Sequence, residues 1–456
     1  MTSTRDPRDI RFDRGTLELG REAAGLVDGA WDPRSESHRI AAHRFAELVE
    51  RADAQGKKLR GDLRDAWERR PRDVTGLELR PYQAEALASW AAFSHRGVVA
   101  LPTGAGKTRV AIGALFMTGL PTAILCPTRA LAVAWVEELR RHLGGEPVGL
   151  VGDGQRTLER VTVFTFESAY RYMDVVGDRF GLLVVDEVHH FGSGARIEAL
   201  EASPAIARLG LTATAPEPGS EAAARIEALV GRVVYEMDYR DLAGKHLAPV
   251  SFVRIPVRLD PDERAEYTEC MRAYLEMRRA FMRMHPGADV ATMLRGLGRT
   301  PEGRRALRDR ARALELASFP RAKRRLLRTV LERHRDDRTI VFTAFAENAY
   351  AIAQDDLVPV ITSETPARER SEILADFRDG RVRAIVSARV LNEGIDVPDA
   401  RVAIIVAGML GVREHVQRIG RVLRPAPGKR ALVYELVTLH TSDAWQAIAR
   451  GKNGPR

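Results

Sequence analysis

Between Val98 and Thr108 the chain reads Val-Val-Ala-Leu-Pro-Thr-Gly-Ala-Gly-Lys-Thr, an apolar strand that turns through two glycines into a helix. Few folds use that order of pieces. Glycine at 104 and 106 omits the Cβ atoms that would hold backbone N–H groups away from an anion. The following helix presents the positive end of its dipole. In such a loop Thr103, Gly104, Ala105 and Gly106 wrap the phosphates, Lys107 reaches the β- and γ-phosphates, and the Thr108 hydroxyl ligates Mg²⁺. The fuller form of the pattern has glycine where this chain has Leu101. The expected setting is a parallel α/β sheet with the loop at a strand's carboxyl edge.

Leu182-Leu-Val-Val-Asp-Glu-Val-His189 adds an apolar strand that ends in two acids. Beside a phosphate loop, Asp186 would hold Mg²⁺ and Glu187 would orient the attacking water. Strand patterns at Val98–Leu101, Thr122–Cys126, Val161–Thr165, Leu182–Val185 and Leu209–Leu211 alternate with helical ones such as Thr108–Met117 and Ala130–His142. The same grammar returns at Thr339–Phe342, Val358–Ile361, Ala384–Ser387, Val402–Val406 and Ala431–Leu436. Two parallel-sheet α/β domains are therefore expected. In the second, Gln417-Arg-Ile-Gly-Arg-Val-Leu-Arg424 spaces arginines by three. Arg421 and Arg424 are the better placed to stabilise charge on a γ-phosphate in transfer.

The 456 residues divide naturally into several domains. Residues 1–75 read as a small α+β module, with a strand over 12–19, a turn at Asp32-Pro33, a helix over Ala41–Ala52 and a connector over Asp53–Asp73. The first α/β domain takes 76–245 and a linker with a helical thumb-like segment takes 246–325. The second α/β domain and tail take 326–456. In the third region Tyr267, Cys270, Tyr274, Met277, Phe281 and Met284 form a helix stripe.

Charge falls in the same place. The chain has 71 Lys+Arg against 62 Asp+Glu, and Asp262 to Arg338 alone holds 20 against 12. Such a stretch suits a polyanion, and Arg321, Lys323, Arg324 and Arg325 are its densest cluster. It would equally suit a solvated helical face in a chain with only seven lysines. Two cysteines exclude a disulfide scaffold and a cysteine-based zinc site. No apolar run reaches the ~18 residues of a membrane span. The first residues lack the apolar core of a signal peptide, so the expectation is a cytoplasmic protein with no membrane partner.

Taken in order, these stretches resemble the motifs of a superfamily 2 helicase with a DEAH-like box. Arg80-Pro-Tyr-Gln83 is similar to the adenine-recognition motif, 102–108 to motif I and 186–189 to motif II. Pro127–Leu131 resembles motif Ia, Thr165–Ser168 motif Ib, Thr212–Thr214 motif III and Val341–Phe345 motif IV. Asn392–Val397 resembles motif V and 417–424 motif VI. The fuller resemblance, over essentially the whole chain, is to the XPB helicases of the short archaeal type. It implies two RecA-like motor domains, ATP and Mg²⁺ as cofactors, and 3′→5′ action on single-stranded or forked DNA in repair. A nuclease partner is a further implication. By motif, Arg80 and Gln83 read the adenine, while Gly394 and Asp396 lie near the ribose. His189, Thr212, Thr214 and Gln417 couple the sites, and Arg129 and Thr343 touch nucleic acid. The family's Arg-Glu-Asp triplet after motif III is replaced here by Ala215-Pro-Glu-Pro-Gly-Ser220, which places efficient unwinding in question.

Two other readings fit the residues. Backbone-contacting motifs do not choose DNA over RNA, so an RNA-directed or restriction-type motor is one. An ATP-switched DNA-binding module that loads a nuclease is the other.

Overall fold

Leu182–Val185 is the centre of the larger sheet, and each of its four side chains is fully buried. A strand buried on both faces reads as a continuous apolar run rather than an alternating one. The computed structural model describes residues 10–61, 63–152, 154–242, 250–388, 400–407 and 431–453. They form two compact units, one up to Asp241 and one from Leu242 onward.

The first unit holds two sheets. β1 (Ile10–Asp13), β2 (Thr16–Leu19), β3 (Ala30–Asp32) and β4 (Ser37–Ala41) form an antiparallel sheet in the order β1-β2-β4-β3. The single strand expected over 12–19 is a hairpin. Arg14 and Gly15 both take positive φ, 44° and 77°, the geometry of a tight hairpin turn. The larger sheet contains β5 (Arg96–Ala100), β6 (Thr122–Cys126), β7 (Val148–Gly152), β8 (Gln155–Thr157), β9 (Val161–Thr165), β10 (Leu182–Val185), β11 (Ala207–Thr212) and β12 (Val233–Glu236). Their order is β12-β5-β11-β10-β6-β9-β7-β8, parallel except for the β7–β8 hairpin. Glycine-bearing β7, short polar β8 and edge strand β12 carry too little apolar pattern to be seen in advance.

Two features bind the first unit together. The stretch read as a connector packs against the sheet domain. Trp67 is buried, donates from Nε1 to the Asp178 carbonyl at 2.7 Å, and meets Phe45 edge-on. Arg70 and Arg72 donate their backbone N–H groups to Gly119 and Phe116. The second feature is Arg208 on β11, fully buried, whose guanidinium donates to the carbonyls of Leu200, Ser203, Ala205 and Leu229. Burial holds its pKa well below the usual arginine value. A planar fork saturated by carbonyls fixes the entry to β11, and hence the position of Thr212 at its exit.

The second unit is built on six parallel strands: β13 (Val250–Val257), β14 (Thr339–Thr343), β15 (Val360–Ile361), β16 (Ala384–Ala388), β17 (Val402–Ile405) and β18 (Ala431–Thr438). The order is β13-β18-β17-β14-β16-β15. β13 was not foreseen. It carries Pro256 and occupies an edge, where a missing N–H is tolerated. Between β13 and β14 run the helices Pro261–Met284, Val290–Gly298, Pro301–Ser318 and Arg321–Arg333. The first starts on a capping box of Asp260 and Glu263. The aromatic half of its stripe is packing surface, while Met284 is exposed. Tyr267 is buried with Ala313, Leu316 and Ala317, and Tyr274 and Phe281 with Met293 and Leu297.

Candidate active site

The carboxyl ends of β5, β10 and β11 assemble the site. Leu101 N donates to the Thr212 carbonyl at 3.0 Å and Asp186 N to the Leu125 carbonyl at 2.9 Å, so the loops leaving these strands start from fixed points. Gly104 and Gly106 take φ of 86° and 78°, as the sequence requires. A Cβ on Gly106 would stand 2.4 Å from Gln83 Nε2. Ala105 is buried and its carbonyl accepts from the Tyr82 hydroxyl (2.7 Å) and from Gln83 Nε2 (2.8 Å). Gln83 Oε1 in turn accepts from Arg80 N at 2.9 Å. Gln83, expected to face a base, therefore braces the loop from behind in this structure. Arg80 donates to the Tyr82 hydroxyl at 3.3 Å. Lys107 opens the helix Lys107–Thr118 and donates from Nζ to the Leu101 carbonyl at 3.2 Å; Thr103 and Thr108 flank it, half-buried.

Asp186 lies just beyond β10 and is buried. Its Oδ2 accepts from Trp135 Nε1 at 2.9 Å and its Oδ1 from Glu187 N at 3.0 Å. Burial pushes its carboxyl above the usual carboxylate range, while the Lys107 charge and the Trp135 bond pull it back. A buried carboxylate facing a lysine is poised for a hard cation. Trp135 was missed by sequence reasoning, because in Ala132, Trp135, Val136 and Leu139 it reads as one more residue of an apolar helix face.

Glu187 adopts φ 51°, ψ 47°, a left-handed conformation that a non-glycine residue holds only when its surroundings enforce it. His189 is buried, with Nδ1 3.3 Å from Thr212 Oγ1 and 3.4 Å from Glu187 Oε2. Thr212 donates its hydroxyl to the Thr214 carbonyl at 2.9 Å. That leaves Thr212 Oγ1 as an acceptor, so the His189 Nδ1–H points toward both it and Glu187. Glu187 and His189 from one sequence stretch and Thr212 and Thr214 from another are one connected group.

Other expected residues fall elsewhere. Gly394, Asp396, Gln417, Arg421 and Arg424 lie outside the described residues. Arg129 is exposed at the start of the helix Arg129–His142. Thr343 is fully buried at the end of β14, an inner strand between β16 and β17, so its side chain faces no solvent-borne partner. The basic cluster divides, and the expectation of a nucleic-acid contact is corrected for Lys323 alone. Lys323 is fully buried and donates to Asp443 Oδ2 (2.8 Å), the Val406 carbonyl (2.6 Å) and the Ser318 carbonyl (3.3 Å). Arg321 pairs with Asp260, Asp262 and Glu263, Arg324 with Asp355, and Arg325 with Asp260. Lys323 is thus held inside the second unit, whereas Arg321, Arg324 and Arg325 are ion-paired but half-exposed at its surface.

Known proteins supply the family. Family models match residues 10–60 (Xeroderma pigmentosum group B helicase damage recognition domain), 76–217 (type III restriction enzyme, res subunit) and 322–426 (helicase conserved C-terminal domain). The DNA 3′-5′ translocase XPB2 of Sulfurisphaera tokodaii is 38% identical over 80% of this chain and 83% of its own length. The chain belongs to the XPB helicase family. Two longer members are the DNA 3′-5′ helicase XPB of Mycobacterium tuberculosis, 31% identical over 82% of this chain, and the putative DNA 3′-5′ helicase Rad25 of Halobacterium salinarum, 32% identical over 90%. This XPB-family chain covers 63% and 62% of them, respectively. The Pyrococcus furiosus Hef helicase domain shares the fold, with a TM-score of 0.52 at 19% identity over 84% of this chain and all of that one. Among the described residues, no helix is long and apolar enough to cross a membrane.

Proposed function

We propose that this chain is an ATP-driven motor that moves 3′→5′ on DNA, in repair or duplex remodelling. The observation that carries the reading is the connected group from Lys107 and Asp186 through Glu187 and His189 to Thr212. The loop suits a triphosphate, since both glycines take the left-handed backbone that turns it and glycine at 106 lets Gln83 pack close behind it. Thr108 and Asp186 would hold Mg²⁺, which supplies charge neutralisation at the phosphates. Lys107 exchanges its Leu101 carbonyl for phosphate oxygens. Gln83 reads an adenine edge only by giving up its bond to Ala105, which ties base recognition to loop shape. Glu187 orients the water for attack. Any movement of Glu187 is felt by His189 and passed to Thr212 and Thr214, the segment on the expected nucleic-acid path. Arg421 and Arg424 are the proposed source of the guanidinium that stabilises the transferring phosphoryl group, an effect worth roughly 10³–10⁵ in rate elsewhere. Gly394, Asp396 and Gln417 keep their proposed places at the ribose and in coupling.

Translocation is favoured over vigorous strand separation. Residues 215–220, where the family's triplet is expected, form an irregular segment that carries one acid and no base. The same feature leaves room for a nuclease partner acting on DNA that the motor positions. ATP hydrolysis by the full chain with matched DNA and RNA oligonucleotides, and displacement assays on 3′- and 5′-tailed duplexes, test the proposal. The expected result is stimulation by DNA and 3′→5′ polarity. Equal stimulation by RNA, or opposite polarity, would contradict it.

A further inference from the structure

The helices Pro261–Met284 and Pro301–Ser318 run antiparallel, with Tyr267 against Ala313–Ala317 and Arg310 over the Tyr274 ring. On one face they leave a groove of about 550 Å³. Its floor is Ala273, Met277 and Ala280 from the first helix and Ala306 from the second. Small residues at helical spacing, with a deformable methionine among them, leave width and depth for one more helix. The third helix of the region, Val290–Gly298, is packed on Phe281 through Met293 and Leu297 and does not enter the groove lining.

The rim fixes the chemistry. It carries Glu269, Glu276, Glu302 and Asp309 against a single base, Arg305, inside a stretch that is otherwise strongly basic. Among the described residues, none of the four carboxylates has an ion-pair partner within 4.0 Å, whereas neighbouring Glu266 and Glu315 both hold Arg312. The acids do not converge on one point. Among the described residues no three His, Cys, Asp or Glu groups lie close enough to hold a metal ion. Negative potential is thus spread along a trough, and it is felt at Cys270, whose thiol is raised by burial and then by Asp309, Glu266 and Glu269. Such a trough repels nucleic-acid phosphates and attracts a row of cations.

We infer that this groove is a docking site for a partner protein's amphipathic helix, its apolar side on Ala273, Met277 and Ala280 and its Lys/Arg flanks on the four acids. The span from Glu269 to Ala280 sets the length at about three turns. Helix-in-groove recognition of this kind draws affinity from the apolar floor and orientation and on-rate from the charged rim. The inference does not depend on the ATP site, so a Lys107→Ala chain binds the helix as the unaltered chain does.

The test uses the full chain and two labelled amphipathic peptides of that length, one flanked by Lys/Arg and one by Glu, with a short DNA duplex as the third probe. Saturable binding of the basic peptide alone is expected, weakening as salt rises. The double variant Glu276→Lys, Asp309→Lys should weaken it by about tenfold or more, and Ala280→Trp should block it, both with unchanged circular dichroism. Equal binding of both peptides, indifference to either variant, or no saturable binding would overturn the inference. So would protection of Cys270 from alkylation by the duplex rather than by the basic peptide.

Discussion

The phosphate loop at 98–108 and the basic stretch at 262–338 were both conspicuous in the sequence, and the structure treats them in opposite ways. The loop's residues stand where the pattern requires. Both glycines are left-handed, Lys107 opens the helix, and the acids lie at the neighbouring strand end. In the basic stretch the densest cluster, Arg321 to Arg325, is ion-paired within the second unit, and Lys323 is fully buried. The difference is physical. A glycine-rich turn is defined by backbone geometry that no neighbour can supply or remove. A charge is defined by its surroundings, and a long cationic side chain that meets a carboxylate is spent there.

That contrast can be broken by mutation. The largest expected effect is on the loop. Lys107→Ala should lower ATP hydrolysis by about a hundredfold or more, since a preorganised charge at the phosphates is removed; steady-state turnover with saturating DNA measures it. Next is the buried cation. Lys323→Ala removes the cation bonded to buried Asp443 and should destabilise the second unit by about 3–5 kcal/mol, read by denaturant unfolding. A destabilisation under about 1 kcal/mol would mean that Lys323 is solvated after all. Smaller still is the coupling group, where Thr212→Val should reduce DNA stimulation by about tenfold while leaving unstimulated hydrolysis within about twofold. The least effect belongs to Arg324→Glu with Arg325→Glu, exposed pairs worth at most about 1 kcal/mol each, whose reversal should leave the salt slope of DNA binding unchanged. A flattened slope would restore the reading of that cluster as a nucleic-acid grip.

Acid sharpens the comparison, because the first unit contains its own buried cations. His43 is held down to about 4 from 6.5, by burial first and then by the Arg208 charge, with Arg96 adding to it. The folded form therefore stays neutral where the unfolded chain takes up a proton. The contribution of His43 to stability is complete above pH 6.5 and is lost as pH drops toward about 4, with urea midpoints across that window as the measurement. His43→Gln should flatten the decline.

Legibility followed the same divide. The inner strands Thr122–Cys126, Val161–Thr165 and Leu182–Val185 were readable to the residue because strands covered on both sides are rich in apolar side chains. The edges β8, β12 and β13 were not, since an edge tolerates proline and polar side chains. At the site, Glu187 was read from the acid pair at a strand end and His189, Thr212 and Thr214 from motif resemblance, but the bonds that join them depend on two loops meeting. Trp135 and Arg208 left no signal, one being an ordinary apolar helix position and the other a charge that burial alone makes structural.

If Glu187 serves the chemistry and the loop serves binding, the two functions should separate in a Glu187→Gln chain. ATP affinity and DNA-stimulated hydrolysis of Glu187→Gln, measured on the same preparation, test it most directly. The expected result is ATP affinity within about threefold of the unaltered chain and turnover reduced by about a hundredfold or more. Turnover retained at the unaltered level in the presence of DNA would contradict it.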